Sequence, residues 1–109
     1  MPKIFCYYKY GLYHGKYESW FEEGYKSIQG RFKNGKKTGK WIEWFDNGGI
    51  ESIIHFKAGK KDGILIEYHR EGGKFIECIY KNNKLIKEIG EWDYEEMKDY
   101  KEPGESYFE

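Results

Sequence analysis

Residues 39–62 read GKWIEWFDNGGIESIIHFKAGKKD, and this stretch decides the fold because it recurs. Residues 15–38 read GKYESWFEEGYKSIQGRFKNGKKT, and residues 63–86 read GILIEYHREGGKFIECIYKNNKLI. The three align without gaps at a period of 24 residues. Gly15, Gly39 and Gly63 open the units, and Trp20, Trp44 and Tyr68 share a column. Further columns are Gly24, Gly48 and Gly72; Phe32, Phe56 and Tyr80; Lys33, Lys57 and Lys81; and Lys36, Lys60 and Lys84. The period runs into both flanks, where Tyr8 falls on the Phe32 column and Trp92 on the Trp20 column. The organisation expected is a repeat region, residues 1–92, and an acidic cap or tail, residues 93–109. The repeat region holds a half unit (3–14), three full units (15–38, 39–62, 63–86) and a second half unit (87–92). A fixed period of this length marks supersecondary units that bury their apolar faces only by stacking.

Each unit reads as two strands and two turns. The first strand is expected over 16–21, 40–45 and 64–69, and the second over 26–33, 50–57 and 74–81. Asn34-Gly35, Ala58-Gly59 and Asn82-Asn83 supply the positive-φ pairs of tight hairpins, and Asn83 stands where the other units have glycine. The second strand alternates: Ile28, Gly30 and Phe32 on one side, Ser27, Gln29 and Arg31 on the other. One side is expected to be mostly buried and the other mostly wet, and His55, in the Arg31 column, falls on the second. The first strand carries aromatics of both parities, Tyr17 on one side and Trp20 on the other. It is therefore covered on both sides or exposes one set to a partner.

The string G-K-W-x-E-W-F-x-N-G-x(7)-F-K-x-G-K-K-x-G over residues 39–63 resembles the bacterial variant of the MORN repeat. Residues 15–39 match nearly as well. The third unit departs, with Ile64 and Leu65 for Lys-Trp and Asn83 for glycine. The resemblance implies an all-β fold: β-hairpins stacked into a single elongated, twisted antiparallel sheet. It also implies a function. Bacterial proteins built almost wholly of such units resemble antitoxins and the immunity proteins paired with polymorphic toxins, which act by binding the toxin.

Composition agrees with the fold. Aromatic residues make up 20% of the chain, with fourteen glycines and eleven tyrosines. One alanine, no valine and three leucines leave little for a helical bundle. Nineteen basic residues balance nineteen acidic ones, which removes a chain-wide bias toward nucleic acid or anionic membrane. No apolar run approaches the roughly 20 residues of a membrane helix, and no secretory leader is visible, so a cytoplasmic location is expected. Cys6 and Cys78 share one column three units apart, about 30 Å at two strand spacings per unit, beyond disulfide reach.

Charge is segregated. One set of turns carries Glu22, Glu23, Asp46 and Glu71 against Arg70. The other carries Lys33, Lys36, Lys37, Lys57, Lys60, Lys61, Lys81 and Lys84 against Asp62. Residues 93–109 are acidic, and Asp93 with Glu96 reads as a capping box for a short helix over 94–101. That helix is expected either to cap the open sheet or to present an acidic plug.

No catalytic motif, phosphate loop or metal-ligand spacing is present. His14, His55 and His69 occupy ordinary positions in the pattern, as do Glu43, Glu67 and Glu91. The chain is expected to be a non-enzymatic protein-binding module without metal or cofactor, most readily an antitoxin with a cognate toxin as partner. A self-associating scaffold and lysine-mediated contact with an anionic membrane surface are the alternatives. The expected contact residues are Tyr17, Trp20, Trp41, Trp44 and Tyr68, the lysines Lys36, Lys37, Lys60 and Lys61, and the tail carboxylates Glu95, Glu96 and Asp99.

Overall fold

The computed structural model describes residues 3–91. They form eight strands: β1 (Lys3–Lys9), β2 (Leu12–Trp20), β3 (Lys26–Lys33), β4 (Lys36–Trp44), β5 (Ile50–Lys57), β6 (Lys60–Tyr68), β7 (Lys74–Lys81) and β8 (Lys84–Glu91). All eight lie in one antiparallel sheet, in chain order, with no crossover. The expected all-β sheet of repeated hairpins is what the chain forms. The expected helix over 94–101 and its capping role lie outside the described residues.

Two turn types alternate along the chain. The Asn34-Gly35, Ala58-Gly59 and Asn82-Asn83 turns each place two residues at positive φ, and Tyr10-Gly11 does the same between β1 and β2. That geometry matches strand twist and closes a hairpin in two residues. These turns also bond back to the preceding hairpin: the amides of Gly35, Gly59 and Asn83 donate to the carbonyls of Tyr13, Lys37 and Lys61. On the other side of the sheet the turns are wider. Phe21, Phe45 and His69 donate their amides to the carbonyls of Tyr25, Gly49 and Gly73.

The first strand of each unit starts earlier than expected, at Leu12, Lys36 and Lys60. The reason lies in Gly15, Gly39 and Gly63. Each has positive φ, and each sits in a bulge where three residues oppose Tyr7, Gly30 or His55 of the neighbouring strand. A glycine of this kind interrupts the pattern without ending the strand. β8 has Lys87 in that column, which keeps a negative φ, and its register slips in two single steps instead.

Alternation gives the sheet two faces. Across one runs the row Cys6, Tyr17, Gly30, Trp41, Ile54, Leu65, Cys78. Large and small residues alternate, and the reason is concrete: a Cβ on Gly30 would lie 2.1 Å from the Trp41 ring. Trp41 is 4% exposed and donates its indole N–H to the Arg31 carbonyl at 3.1 Å. Across the other face runs Glu18, Gln29, Ile42, Ile53, Ile66, Glu77. There Ile66 and Ile64 are fully buried, and so is Glu77, paired with buried Lys74 at 3.1 Å. Both faces thus hold buried groups. His55 is buried too, on the side expected to be mostly wet: its Nδ1–H donates to the Ile64 carbonyl at 2.9 Å, and burial lowers its pKa.

Candidate interaction surface

The face bearing Trp41 carries a continuous aromatic ladder. Tyr8 packs on Tyr13, Tyr13 on Phe32, Tyr17 on Trp41, and Phe32 on Trp41, with ring centroids 4.9–5.6 Å apart. Phe56 extends it at 6.4 Å from Trp41. These spacings are those of tilted and edge-on ring pairs, which add to the energy of area burial. Lys37 lays its ammonium 4.6 Å from the Trp41 centroid and 5.0 Å from that of Phe56, and Lys61 sits 5.1 Å from Tyr80. The ladder is thus covered by its own cations at two points.

The expected lysine edge keeps Lys33, Lys36, Lys57, Lys60, Lys81 and Lys84, all exposed at the hairpin ends, and loses two members. Lys37 and Lys61 lie on strands over rings and do not project from turns. Lys36 and Lys60 are exposed at strand starts, paired with Lys33 and Lys57. At the opposite turns Arg70 forms an ion pair with Asp46 of the preceding unit, and Asn47 donates to the Arg70 carbonyl at 3.1 Å.

The expected contact residues do not form one site. Tyr17 and Trp41 pack together in the aromatic ladder. Trp20, Trp44 and Tyr68 pair with Lys26, Ile50 and Lys74 and belong by alternation to the other face. There Lys26 lies 6.0 Å from the Trp20 ring centroid. Glu95, Glu96 and Asp99 lie outside the described residues.

What the pattern of columns missed is the N-terminal hairpin. Ile4, Phe5, Tyr7, Tyr8, Tyr10, Leu12 and Tyr13 are all exposed, and Tyr10 is 92% exposed. They divide by alternation: Ile4, Tyr8 and Tyr13 lie on the Trp41 face of β1 and β2, Phe5, Tyr7 and Leu12 on the other, and Tyr10 in the turn between. Among the described residues β1 is the end of the sheet order and has no strand on its outer side. The Tyr8 phenol, hydrogen-bonded to Tyr13, is pushed up to about 12, and burial raises that of Tyr17. Both therefore present neutral hydroxyls at physiological pH. The signal in the sequence was the half unit itself: it carries the aromatics of a full unit with one neighbour instead of two.

Among the described residues no group of three or more His, Cys, Asp or Glu is placed to hold a metal ion. Cys6 and Cys78 are free thiols, and burial pushes that of Cys78 up. No described helix is long and apolar enough to cross a membrane. No protein-family model matches the chain, and no curated protein matches it.

Proposed function

We propose that this chain is a non-enzymatic protein-binding module, an antitoxin or immunity protein of the bacterial cytoplasm that neutralises a cognate toxin by direct contact. The observation that carries the reading is the set of exposed aromatic side chains on both faces of the β1–β2 hairpin and at its turn. Each face of the hairpin leaves neighbouring rings in water, Tyr8 with Tyr13 on one and Phe5 with Tyr7 on the other, and exposed apolar groups of this kind mark interaction sites, with tyrosine supplying interface hot spots. The resemblance to MORN-type repeats supports the same reading.

The test is affinity capture from the native host with the full chain, read by mass spectrometry. Wild type is expected to recover one toxic enzyme or toxin domain at near-equal stoichiometry. Tyr7→Ser with Tyr10→Ser is expected to lose it while keeping the wild-type melting curve. Recovery of many unrelated proteins, or capture indifferent to these substitutions, would sink the reading. The open edge of β1 favours a second reading, self-association by strand addition. A concentration-dependent mass in solution, abolished by the same substitutions, would select it.

A further inference from the structure

Lys16 on β2 and Arg31 on β3 are direct cross-strand partners. Their side chains leave the sheet on the same side, with β-carbons about 5 Å apart, where like charges are destabilising. Lys40 on β4 adds a third cation to the same hollow, which has a volume of about 750 Å³ and a floor that includes Gln29, Thr38 and Gly39. Among the described residues one carboxylate, Glu18, also lines it. That charge is already engaged: Lys26 Nζ lies 2.7 Å from Glu18 and holds its carboxyl below the usual range. Among the described residues neither Lys16 nor Arg31 forms an ion pair.

The repeat supplies its own control. At the positions of Lys16 and Arg31 the second unit has Lys40 and His55, and the third has Ile64 and Ile79, also direct partners. Ile64 is 1% exposed. The architecture therefore accepts two isoleucines at this point and has no need of two cations. Opposed cations that the fold does not require, beside an open hollow, mark a place where an anion sits.

We propose that this hollow is a carboxylate-binding groove that receives an acidic polypeptide segment of the protein's partner. Two lysines of the same face already take carboxylates in this way, Lys26 from Glu18 at 2.7 Å and Lys74 from Glu77 at 3.1 Å. Nucleic acid is the poorer fit, because no aromatic side chain among the described residues lines the hollow to stack a base. Arg31 offers a planar fork for a bidentate carboxylate, and the lysines supply charge that strengthens as salt falls. The inference rests on the protein-binding reading and names the chemistry of the partner's surface.

The test is fluorescence anisotropy of a labelled oligoglutamate peptide with the full chain across a salt series. Binding is expected at low salt, weakening about tenfold for each of Lys16→Gln and Arg31→Gln. Lys33→Gln with Lys57→Gln, at the hairpin edge, is expected to leave it unchanged. Three results overturn the groove. One is no binding at low salt, whether the hollow is inert or the chain's own acidic C-terminal residues fill it. Another is equal weakening by the edge substitutions. The third is a single-stranded oligonucleotide that binds more tightly and is lost on the same groove substitutions. The two readings also fail separately. A partner captured equally well by the Lys16→Gln, Arg31→Gln chain defeats the groove and spares the antitoxin. Groove-dependent peptide binding with no toxin captured does the reverse.

Discussion

Single residues in this sheet can be judged against their own equivalents one unit away. Ala58 holds φ 51° where the other hairpins use asparagine or tyrosine. A left-handed alanine costs about 1 kcal/mol, and asparagine less. Ala58→Asn should therefore stabilise the chain by about 0.5–1 kcal/mol, seen as a higher urea midpoint at unchanged slope. His55 gives a pH dependence with a defined sign. Burial lowers its pKa in the folded state, so below about 6.5 the unfolded chain binds a proton that the folded chain refuses. Its contribution is whole above that pH and is lost as pH falls through the lowered value. Melting temperature should drop on acidification through this window, and the drop should shrink in His55→Ile, which installs the third unit's residue. An unchanged acid profile in the variant would refute the assignment. His55 also shows what the sequence hid. Its column pointed to solvent because Arg31 defined it, and a column records position in the repeat without recording what lies over each unit.

At the scale of elements, three positions on the face opposite Trp41 have been filled in three ways. The first unit has Glu18, Lys26 and Gln29, with Lys26 bonded to both others. The second has Ile42, Ile50 and Ile53, and the third has Ile66, Lys74 and Glu77. A buried ion pair gains little over well-packed apolar residues, yet breaking one partner is expensive. Glu77→Ile alone should destabilise by about 3–5 kcal/mol, and Lys74→Ile with Glu77→Ile should recover most or all of it. Chemical denaturation of the two variants decides this: equal losses would show that the pair is not coupled. The strands themselves were legible to different degrees. The second strand of each unit was placed at its observed bounds, because alternation and hairpin glycines mark both ends. The first was not, because lysines followed by Gly39 or Gly63 look like a turn. The chain instead uses that glycine as a bulge, and the Lys37 and Lys61 ammonium groups lie flat over rings. The N-terminal patch was hidden for a related reason. Tyr8 shares a column with half-buried Phe32 and differs from it by having, among the described residues, no strand beyond β1, which is a property of the array and not of the residue.

At the scale of the whole molecule, each described strand pairs only with its neighbours in the chain, so stability is close to a sum over units and their junctions. Inserting a second copy of residues 39–62 after position 62 should give a ten-stranded sheet with a higher denaturant midpoint and a steeper slope. An insertion that lowers the midpoint would show that the eight strands depend on one another at longer range. The same neighbour-only topology has a mechanical consequence. Force applied between the two ends of the sheet meets the ladder one strand at a time, because peeling an edge strand opens its hydrogen bonds in succession instead of shearing them together. Such a sheet gives way gradually from its borders while its centre stays assembled. It is a compliant ribbon, easily bent and ill suited to carrying tension.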